Sequence, residues 1–425
     1  MLSTINKTRQ IMDLIDKVYK ARERIKNVAI HTPLMINENL SEEFSAQIYL
    51  KREDLQPVRS YKLRGAYNKI VSLTDEEKSK GVVCASAGNH AQGVAYTCNK
   101  LNVNATIFMP VTTPPQKTKQ VKLFGKDKVE IVLKGDTFDE ASEEAHKFCK
   151  EVEAVFIHPF EDEKVIAGQG TIGLELLEDS LTPIDYLFVP IGGGGLAAGI
   201  ITVFKKLSPH TKIIGVEPAG AASMKTSIEK GVNTTLEQID NFVDGAAVKR
   251  VGEQAFKICK DSLEDIVLVP EGKVCTTILR MYNEEAIVVE PAGALTISAL
   301  DFYKEQIKDK NVVCIVSGSN NDITRMQEIK ERSLLYEGLK HYFLVQFPQR
   351  PGAFKDFVND ILGPNDDIVY FQYSKKNNRE SGPAIVGIEL KNPNDLLRIE
   401  QQLKHRKFIY QYLNENTDLF IIPVS

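Results

Sequence analysis

An uncharged run at residues 186–204 (YLFVPIGGGGLAAGIITVF) constrains the fold of this chain more than any other stretch. By its length it is a candidate membrane span. However, Pro190 and five glycines interrupt it, and four of those glycines, Gly192 to Gly195, are consecutive. Such breakers favour a buried strand, a glycine turn and the start of a buried helix. We therefore expect a cytoplasmic protein that has no membrane partner.

Short β-branched runs alternate with helical stretches up to about residue 330. This alternation predicts βαβ units, an α/β body with parallel sheets flanked by helices, and ligands at the carboxyl ends of the strands. The strand-like runs are Val82–Ala85, Ala105–Met109, Val129–Leu133, Tyr186–Ile191, Ile213–Glu217 and Val312–Ser317.

The pattern changes towards the C-terminus, where strand-like and helical stretches follow one another in the order βαββαβ. This order predicts a small ferredoxin-like domain. Since 425 residues favour two or three domains, we expect a larger domain at 1–335, with a smaller lobe at about 60–155, and a second domain at 336–425. The C-terminal stretches are Tyr342–Phe347, Gly352–Leu362, Asp367–Lys375, Ala384–Leu390, Pro393–His405 and Leu419–Val424.

Composition excludes several classes of protein. The 53 Lys and Arg against 57 Asp and Glu give a net charge of −4, which does not suit a nucleic-acid partner. The six cysteines include no CxxC pair, so they are expected to be thiols in a reducing compartment. The first twenty residues mix charged with apolar residues, which predicts an amphipathic helix and not a signal peptide. None of the seven histidines forms an HxxxH pair, and no metal site is predicted.

The glycine run predicts an anion site. A glycine turn that opens a helix exposes main-chain N–H groups, and the helix N-terminus adds a partial positive charge, so phosphate is the expected ligand. A rival interpretation exists, because Gly192-x-Gly194-x-x-Ala197 with Glu217 about twenty residues later also fits a dinucleotide-binding pattern. On this stretch alone, NAD binding stays open.

A second glycine-containing turn, SAGNHAQG at 86–93, lies between the strand VVCA and a helix. It predicts a further anion site at a helix N-terminus, with hydroxyl, amide and imidazole groups nearby. Two such sites suit a phosphate-bearing cofactor and a carboxylate substrate, and they weigh against NAD.

A lysine in the segment SYKLRGA, Lys62, is the candidate reactive residue. Ser60 is expected to cap a helix whose first turn contains Lys62. A helix N-terminus disfavours a nearby ammonium, and a neutral amine is what Schiff-base chemistry requires.

The segments KREDLQPVRSYKLRGA, SAGNHAQG, GGGGL and CIVSGSNND, in this order, resemble those of the threonine dehydratases, which are pyridoxal-phosphate enzymes of the tryptophan synthase β fold. The resemblance covers nearly the whole chain. It implies a two-lobed fold type II catalytic domain followed by one ACT-like regulatory domain, as in the short biosynthetic forms. It also implies conversion of L-threonine to 2-oxobutanoate and ammonia, the first step of isoleucine biosynthesis.

The resemblance implies roles for individual residues. Lys62 would hold pyridoxal 5'-phosphate covalently and act as general base at Cα, Asn89 would bond the ring hydroxyl, and Ser317 would bond the pyridine nitrogen. The main chain of Gly192, Gly193, Gly194, Gly195 and Leu196 would hold the phosphate. The substrate carboxylate would lie among Ser86, Ala87, Gly88, Asn89 and His90.

This chain differs from the serine racemases of the same fold at two places, and these differences limit the alternative functions. Serine racemases of this fold have a serine where this chain has Ala87, so racemisation is not expected. Their acidic metal site is matched by Glu217 and Ala221, but Ser223 replaces an aspartate, so no divalent cation is expected and a monovalent ion stays open. A serine dehydratase or another β-eliminating enzyme of this fold, and a non-catalytic amino-acid sensor, also stay open.

The segment Arg350 to Phe354 (RPGAF) resembles the turn that opens the first helix of ACT-like domains. The resemblance implies an isoleucine or valine effector at this domain and a homo-oligomer, either a dimer or a tetramer. The alternative is a purely structural or oligomerising domain.

Overall fold

The computed structural model describes residues 2–373 and 380–414, with side chains from residue 14 onwards. The chain divides into two compact units, Met1–Asp322 and Ile323–Ser425. The sequence pattern places the boundary later, at 335/336. The earlier division follows from a helix, Met326–Tyr336, whose Glu331 accepts a hydrogen bond from the Tyr342 hydroxyl at 2.6 Å and forms an ion pair with Lys340.

Strands lie at each of the six β-branched runs predicted before residue 330, and the sheets also contain strands that these runs did not predict, such as Leu34–Ile36 and Gln47–Arg52. The strands are β1 (Leu34–Ile36), β2 (Gln47–Arg52), β3 (Val82–Ala85), β4 (Ala105–Met109), β5 (Val129–Leu133), β6 (Val155–Phe156), β7 (Tyr186–Pro190), β8 (Lys212–Pro218), β9 (Asp265–Val269), β10 (Asn311–Val316), β11 (Lys340–Pro348), β12 (Asp367–Tyr373), β13 (Ser381–Glu389) and β14 (Ile409–Tyr412).

The helices lie between the strands. They are α1 (Leu2–Ile25), α2 (Glu38–Phe44), α3 (Lys62–Val71), α4 (Asp75–Lys80), α5 (Asn89–Leu101), α6 (Pro115–Gly125), α7 (Phe138–Glu151), α8 (Glu163–Asp179), α9 (Gly195–Leu207), α10 (Ser223–Lys230), α11 (Glu253–Lys260), α12 (Glu271–Glu285), α13 (Pro291–Ser298), α14 (Met326–Tyr336), α15 (Ala353–Ile361) and α16 (Asp395–His405). Short 3-10 turns occupy Glu53–Leu55, Lys126–Lys128, Ala219–Ala221, Ala299–Tyr303 and Ile323–Arg325.

The first unit contains two sheets, as the predicted two-lobed α/β body requires. The larger sheet has the order β1-β2-β10-β7-β8-β9 and is parallel except for β1. The smaller sheet has the order β5-β4-β3-β6 and is wholly parallel. Helices bury the faces of both sheets, so parallel strands such as β7 are apolar and buried along their whole length.

The uncharged run at 186–204 forms strand β7, the glycine turn and most of helix α9, as the breaker residues predict. None of the helices formed by the described residues is long and apolar enough to cross a membrane.

The second unit has the predicted ferredoxin-like order. Its antiparallel sheet has the order β12-β13-β11-β14, and α15 and α16 share a core with it through Phe357, Ile399 and Leu403. The strand predicted at Leu419–Val424 lies outside the described residues, and the fourth strand of the described sheet is β14.

Candidate active site

The start of helix α3 lies beside the end of strand β10. Tyr61 is the N-cap residue of α3, and its side chain makes no capping hydrogen bond, so the expected Ser60 cap is wrong. Ser60 instead forms an antiparallel bridge with Gly318. The Tyr61 N–H donates to the Ser317 carbonyl at 3.2 Å. These contacts bring the predicted residues Lys62 and Ser317 close together, although the chain separates them by most of the catalytic unit.

Lys62 is the first residue of α3 and lines a cavity. The same cavity is lined by Gly192–Gly195 and by Leu196. The Lys62 Nζ donates to the Pro159 carbonyl at 3.3 Å. The structure therefore joins the candidate reactive lysine and the candidate phosphate site in one cavity.

The glycine run forms a cradle that larger residues would fill. Gly194 is the N-cap of α9 with φ 86°, a left-handed conformation that favours glycine. A Cβ on Gly193 would lie 2.2 Å from the Phe160 ring, and a Cβ on Gly195 would lie 3.0 Å from the Phe160 carbonyl oxygen. The first N–H groups of α9, including that of Leu196, have no acceptor within the helix. An anion such as a phosphate group fits this cradle.

Asn89, the first residue of α5, belongs to a partly buried hydrogen-bond network. Its Nδ2 donates to Glu290 Oε1 at 2.6 Å, and its Oδ1 accepts from Asn320 Nδ2 at 2.7 Å. The Asn320 N–H also donates to Glu290 Oε2 at 3.2 Å. Burial raises the pKa of Glu290 to about 7. An amide has two donors and two acceptor lone pairs, so Asn89 keeps one of each for a ring hydroxyl.

Sequence reasoning missed Glu290 and Asn320 as site residues. Asn320 lies in the segment CIVSGSNND and Glu290 lies directly before Pro291, but neither segment shows which distant residue it contacts. A buried carboxyl directly before a helix-opening proline is the only signal that the sequence offers.

Ser317, one residue after β10, is buried, and its hydroxyl donates to the Ala292 carbonyl at 3.2 Å. A hydroxyl can rotate its proton between acceptors. Ser317 is therefore suited to donate a hydrogen bond to a ring nitrogen.

The turn between β3 and α5 contains Ser86, Ala87 and Gly88, all of them partly exposed. The Gly88 N–H donates to the Ser86 hydroxyl oxygen at 3.2 Å, and Gly88 is the N-cap of α5. The first N–H groups of α5 again have no acceptor within the helix. A carboxylate suits this turn, as the sequence predicts.

His90 differs from the expectation in one respect. Its ring is buried, and Nε2 donates to the Ile157 carbonyl at 2.8 Å. Burial, with a smaller contribution from the charge of Lys62, lowers its pKa to about 3. The imidazole is therefore neutral, and its N–H is already used by the Ile157 carbonyl.

Glu217, the acid of the dinucleotide pattern, caps a helix. Its two oxygens accept the N–H groups of Met224 at 2.7 Å and Lys225 at 2.9 Å at the start of α10. Glu217 is also fully buried, so a ribose cannot reach its carboxylate, which weakens the NAD interpretation. Within residues 2–373 and 380–414, no group of three or more His, Cys, Asp or Glu side chains could hold a metal ion.

The second unit presents an aromatic cluster near the RPGAF turn. Helix α15 begins after Gly352, and Arg350 donates to Asp356 at 2.7 Å. The rings of Phe354 and Phe371 lie 4.4 Å apart, and both are partly exposed. This surface could take an apolar ligand side chain.

Comparison with known proteins gives matches along nearly the whole chain. The family described as "Pyridoxal-phosphate dependent enzyme" matches residues 25–318, and the "C-terminal regulatory domain of Threonine dehydratase" matches residues 331–421. The chain is 57% identical over 406 residues to the biosynthetic L-threonine dehydratase IlvA of Halalkalibacterium halodurans, covering 96% of this chain and 98% of that protein. It is 56% identical to that of Bacillus subtilis, with 96% of each chain covered.

Solved structures show the same relationship. The processed form of threonine deaminase isoform 2 from Solanum lycopersicum has a TM-score of 0.73 and 42% identity, covering 77% of this chain and 89% of that one. A maize serine racemase has a TM-score of 0.70 and 30% identity, covering 76% and 98%.

Proposed function

Because the chain belongs to the biosynthetic L-threonine dehydratase family of the pyridoxal-phosphate dependent enzymes, we propose that it converts L-threonine to 2-oxobutanoate and ammonia. This reaction would be the first step of isoleucine biosynthesis. The observation that carries the proposal is the single cavity lined by Lys62 and by the glycine cradle.

The residues of the cavity fit pyridoxal phosphate. The cradle of Gly192–Gly195 and Leu196 would hold the phosphate through main-chain N–H groups, and Lys62 would carry the cofactor covalently. Asn89 and Ser317 would hold the ring hydroxyl and the ring nitrogen. When bound, the cofactor supplies an electron sink next to the substrate Cα.

The residues of this chain would position the substrate and move one proton. The N–H groups at the start of α5 and the Ser86 hydroxyl hold the threonine carboxylate. Once the substrate amine has displaced it from the cofactor, Lys62 Nζ would be a free amine and would accept the proton from Cα. Loss of that proton and of the Cβ hydroxyl gives 2-aminobut-2-enoate, which takes up water and releases ammonia.

Borohydride reduction of the holoenzyme tests the assignment of Lys62. Peptide mass spectrometry should find the reduced cofactor on Lys62, and Lys62→Ala should abolish both the label and keto-acid release. Lys164→Ala is the matched control, because its Nζ also donates to a main-chain carbonyl at 3.3 Å, that of Ser72. This control should keep label and activity. Cofactor on another lysine would contradict the assignment, and faster turnover of serine than of threonine would support a serine dehydratase instead.

We also propose that residues 336–425 bind isoleucine or valine and that the chain acts as a cytoplasmic homo-oligomer. The match to a regulatory domain and the exposed Phe354 and Phe371 support an effector with an apolar side chain. The rate of keto-acid release by the full-length protein, with and without each amino acid, tests this effector.

A further inference from the structure

A buried ionic cluster lies at the start of helix α3, two residues beyond Lys62. Arg64 is 1% exposed, and its fork binds both oxygens of Glu53, at 2.8 and 2.7 Å, and both oxygens of Glu175, at 2.6 and 2.8 Å. Arg64 also donates to the Thr171 hydroxyl at 3.1 Å and to the Ile30 carbonyl at 3.1 Å. All five of its N–H groups therefore have acceptors.

A second buried cation completes the cluster. Lys51 Nζ lies 2.8 Å from Glu175 Oε2 and donates to the Thr32 carbonyl at 2.6 Å. The buried charges of Arg64, Lys51, Glu53 and Glu175 balance. The partners of Arg64 lie in helix α8 (Glu175 and Thr171), in the turn after strand β2 (Glu53) and in the segment before β1 (Ile30). Arg64 therefore fixes α3 to three other parts of the unit.

Stability alone explains this cluster poorly. Moving charges out of water is costly, and apolar residues of similar size often stabilise a core equally well. What a bidentate guanidinium adds is a fixed direction. Two residues along a helix correspond to a rotation of about 200°, so Arg64 fixes the side of α3 opposite to Lys62. The first turn also lacks a side-chain cap that could fix it otherwise.

We propose that Arg64, held by Glu53 and Glu175, is a positioning residue that directs the Lys62 amine into the cavity. This inference rests on the role of Lys62 proposed above. A purely structural role would leave Lys62 unchanged in any variant that folds. The positioning role instead requires that weakening the bonds of Arg64 to Glu53 and Glu175 changes the reactivity of the Lys62 amine in a folded protein.

Arg64→Lys tests the proposal, since lysine keeps the charge but cannot bind two carboxylates in a bidentate manner. We expect kcat to fall about 100-fold, as displacement of a reactive group by about 1 Å does, while the KM for threonine stays unchanged. Glu175→Gln, which removes one carboxylate and keeps the side-chain shape, should act in the same direction and serves if Arg64→Lys does not fold.

A second readout avoids the loaded enzyme. In cofactor-free protein, reductive methylation with formaldehyde and cyanoborohydride, followed by peptide mass spectrometry, gives the reactivity of each lysine. Release of the Lys62 amine from its contact with Pro159 should raise its methylation rate several-fold in both variants. Lys69→Met is the matched control, because Lys69 also joins α3 to the start of α8, through an ion pair of 2.6 Å with Asp162, but lies at the other end of α3.

The control should keep the wild-type kcat and the wild-type methylation rate of Lys62. Unchanged kcat and methylation in Arg64→Lys and Glu175→Gln, or equal effects in Lys69→Met, would overturn the positioning role. A cofactor that borohydride fixes to a lysine other than Lys62 in the wild type would overturn the proposed function itself, so the two failures are distinguishable.

Discussion

The buried His90 makes the stability of the first unit dependent on pH. Its pKa is lowered to about 3 by burial, whereas an exposed histidine titrates near about 6.5. The unfolded chain therefore binds a proton that the folded chain excludes. The free energy of unfolding is highest above pH 6.5, and it falls as the pH drops from 6.5 towards 3, by up to about 1.4 kcal/mol per pH unit. Between pH 7.5 and pH 5 the loss due to His90 should be about 2 kcal/mol.

His90→Gln removes this titration but keeps an N–H donor for the Ile157 carbonyl. Urea unfolding of both holoenzymes at pH 7.5, 6 and 5, followed by the visible absorbance of bound cofactor, reports on the unit that contains residue 90. The difference in unfolding free energy should shift by about 2 kcal/mol in favour of His90→Gln between pH 7.5 and pH 5. Other titrating groups, such as the partly buried His158, contribute equally to both proteins. A difference that does not change with pH would refute the reasoning.

Two further predictions concern close approaches at glycines. In Gly193→Ala the new Cβ would lie 2.2 Å from the Phe160 ring. The dissociation constant for pyridoxal phosphate should therefore rise about 5- to 150-fold in an equilibrium titration, as for a strain of about 1–3 kcal/mol. An unchanged constant would contradict this. In Gly168→Ala the Cβ would lie 2.6 Å from the Arg64 carbonyl, and urea unfolding should show a loss of about 1–3 kcal/mol. Gly88→Ala, where nothing lies within 4 Å, should lack this packing cost, and equal losses in the two variants would argue against steric packing as the cause.

Local patterns in the sequence predicted much of the fold. The runs at Val82–Ala85, Ala105–Met109 and Val129–Leu133 form strands with those bounds, because β-branched runs between breakers leave few alternatives. Helix α9 likewise begins where the glycine run ends, since Gly194 adopts a left-handed conformation there.

Contacts between distant segments could not be predicted in this way. Asn89 and Glu290 are 201 residues apart, and neither segment alone indicates that the other holds its partner. Similarly, the pattern SAGNHAQG places His90 at a helix start but does not say that its ring turns inwards to Ile157. The prediction that Ser60 caps α3 was wrong for the same reason. Ser60 forms a bridge with Gly318, which lies at a strand end far along the chain.

Strand β10 lies between β2 and β7 in the larger sheet, so β1 and β2 reach the rest of that sheet only through residues 311–316. A ribosome that synthesises the chain from its N-terminus must therefore complete nearly all of the first unit before these early strands can join the sheet. Until then, the Tyr61 N–H lacks the Ser317 carbonyl as its partner. Lys62 is thus among the earlier residues to leave the ribosome and among the last to reach its final surroundings, and such long-range pairing makes folding slow. A nascent chain that ends before residue 318 would carry the complete SYKLRGA motif without a finished site around it.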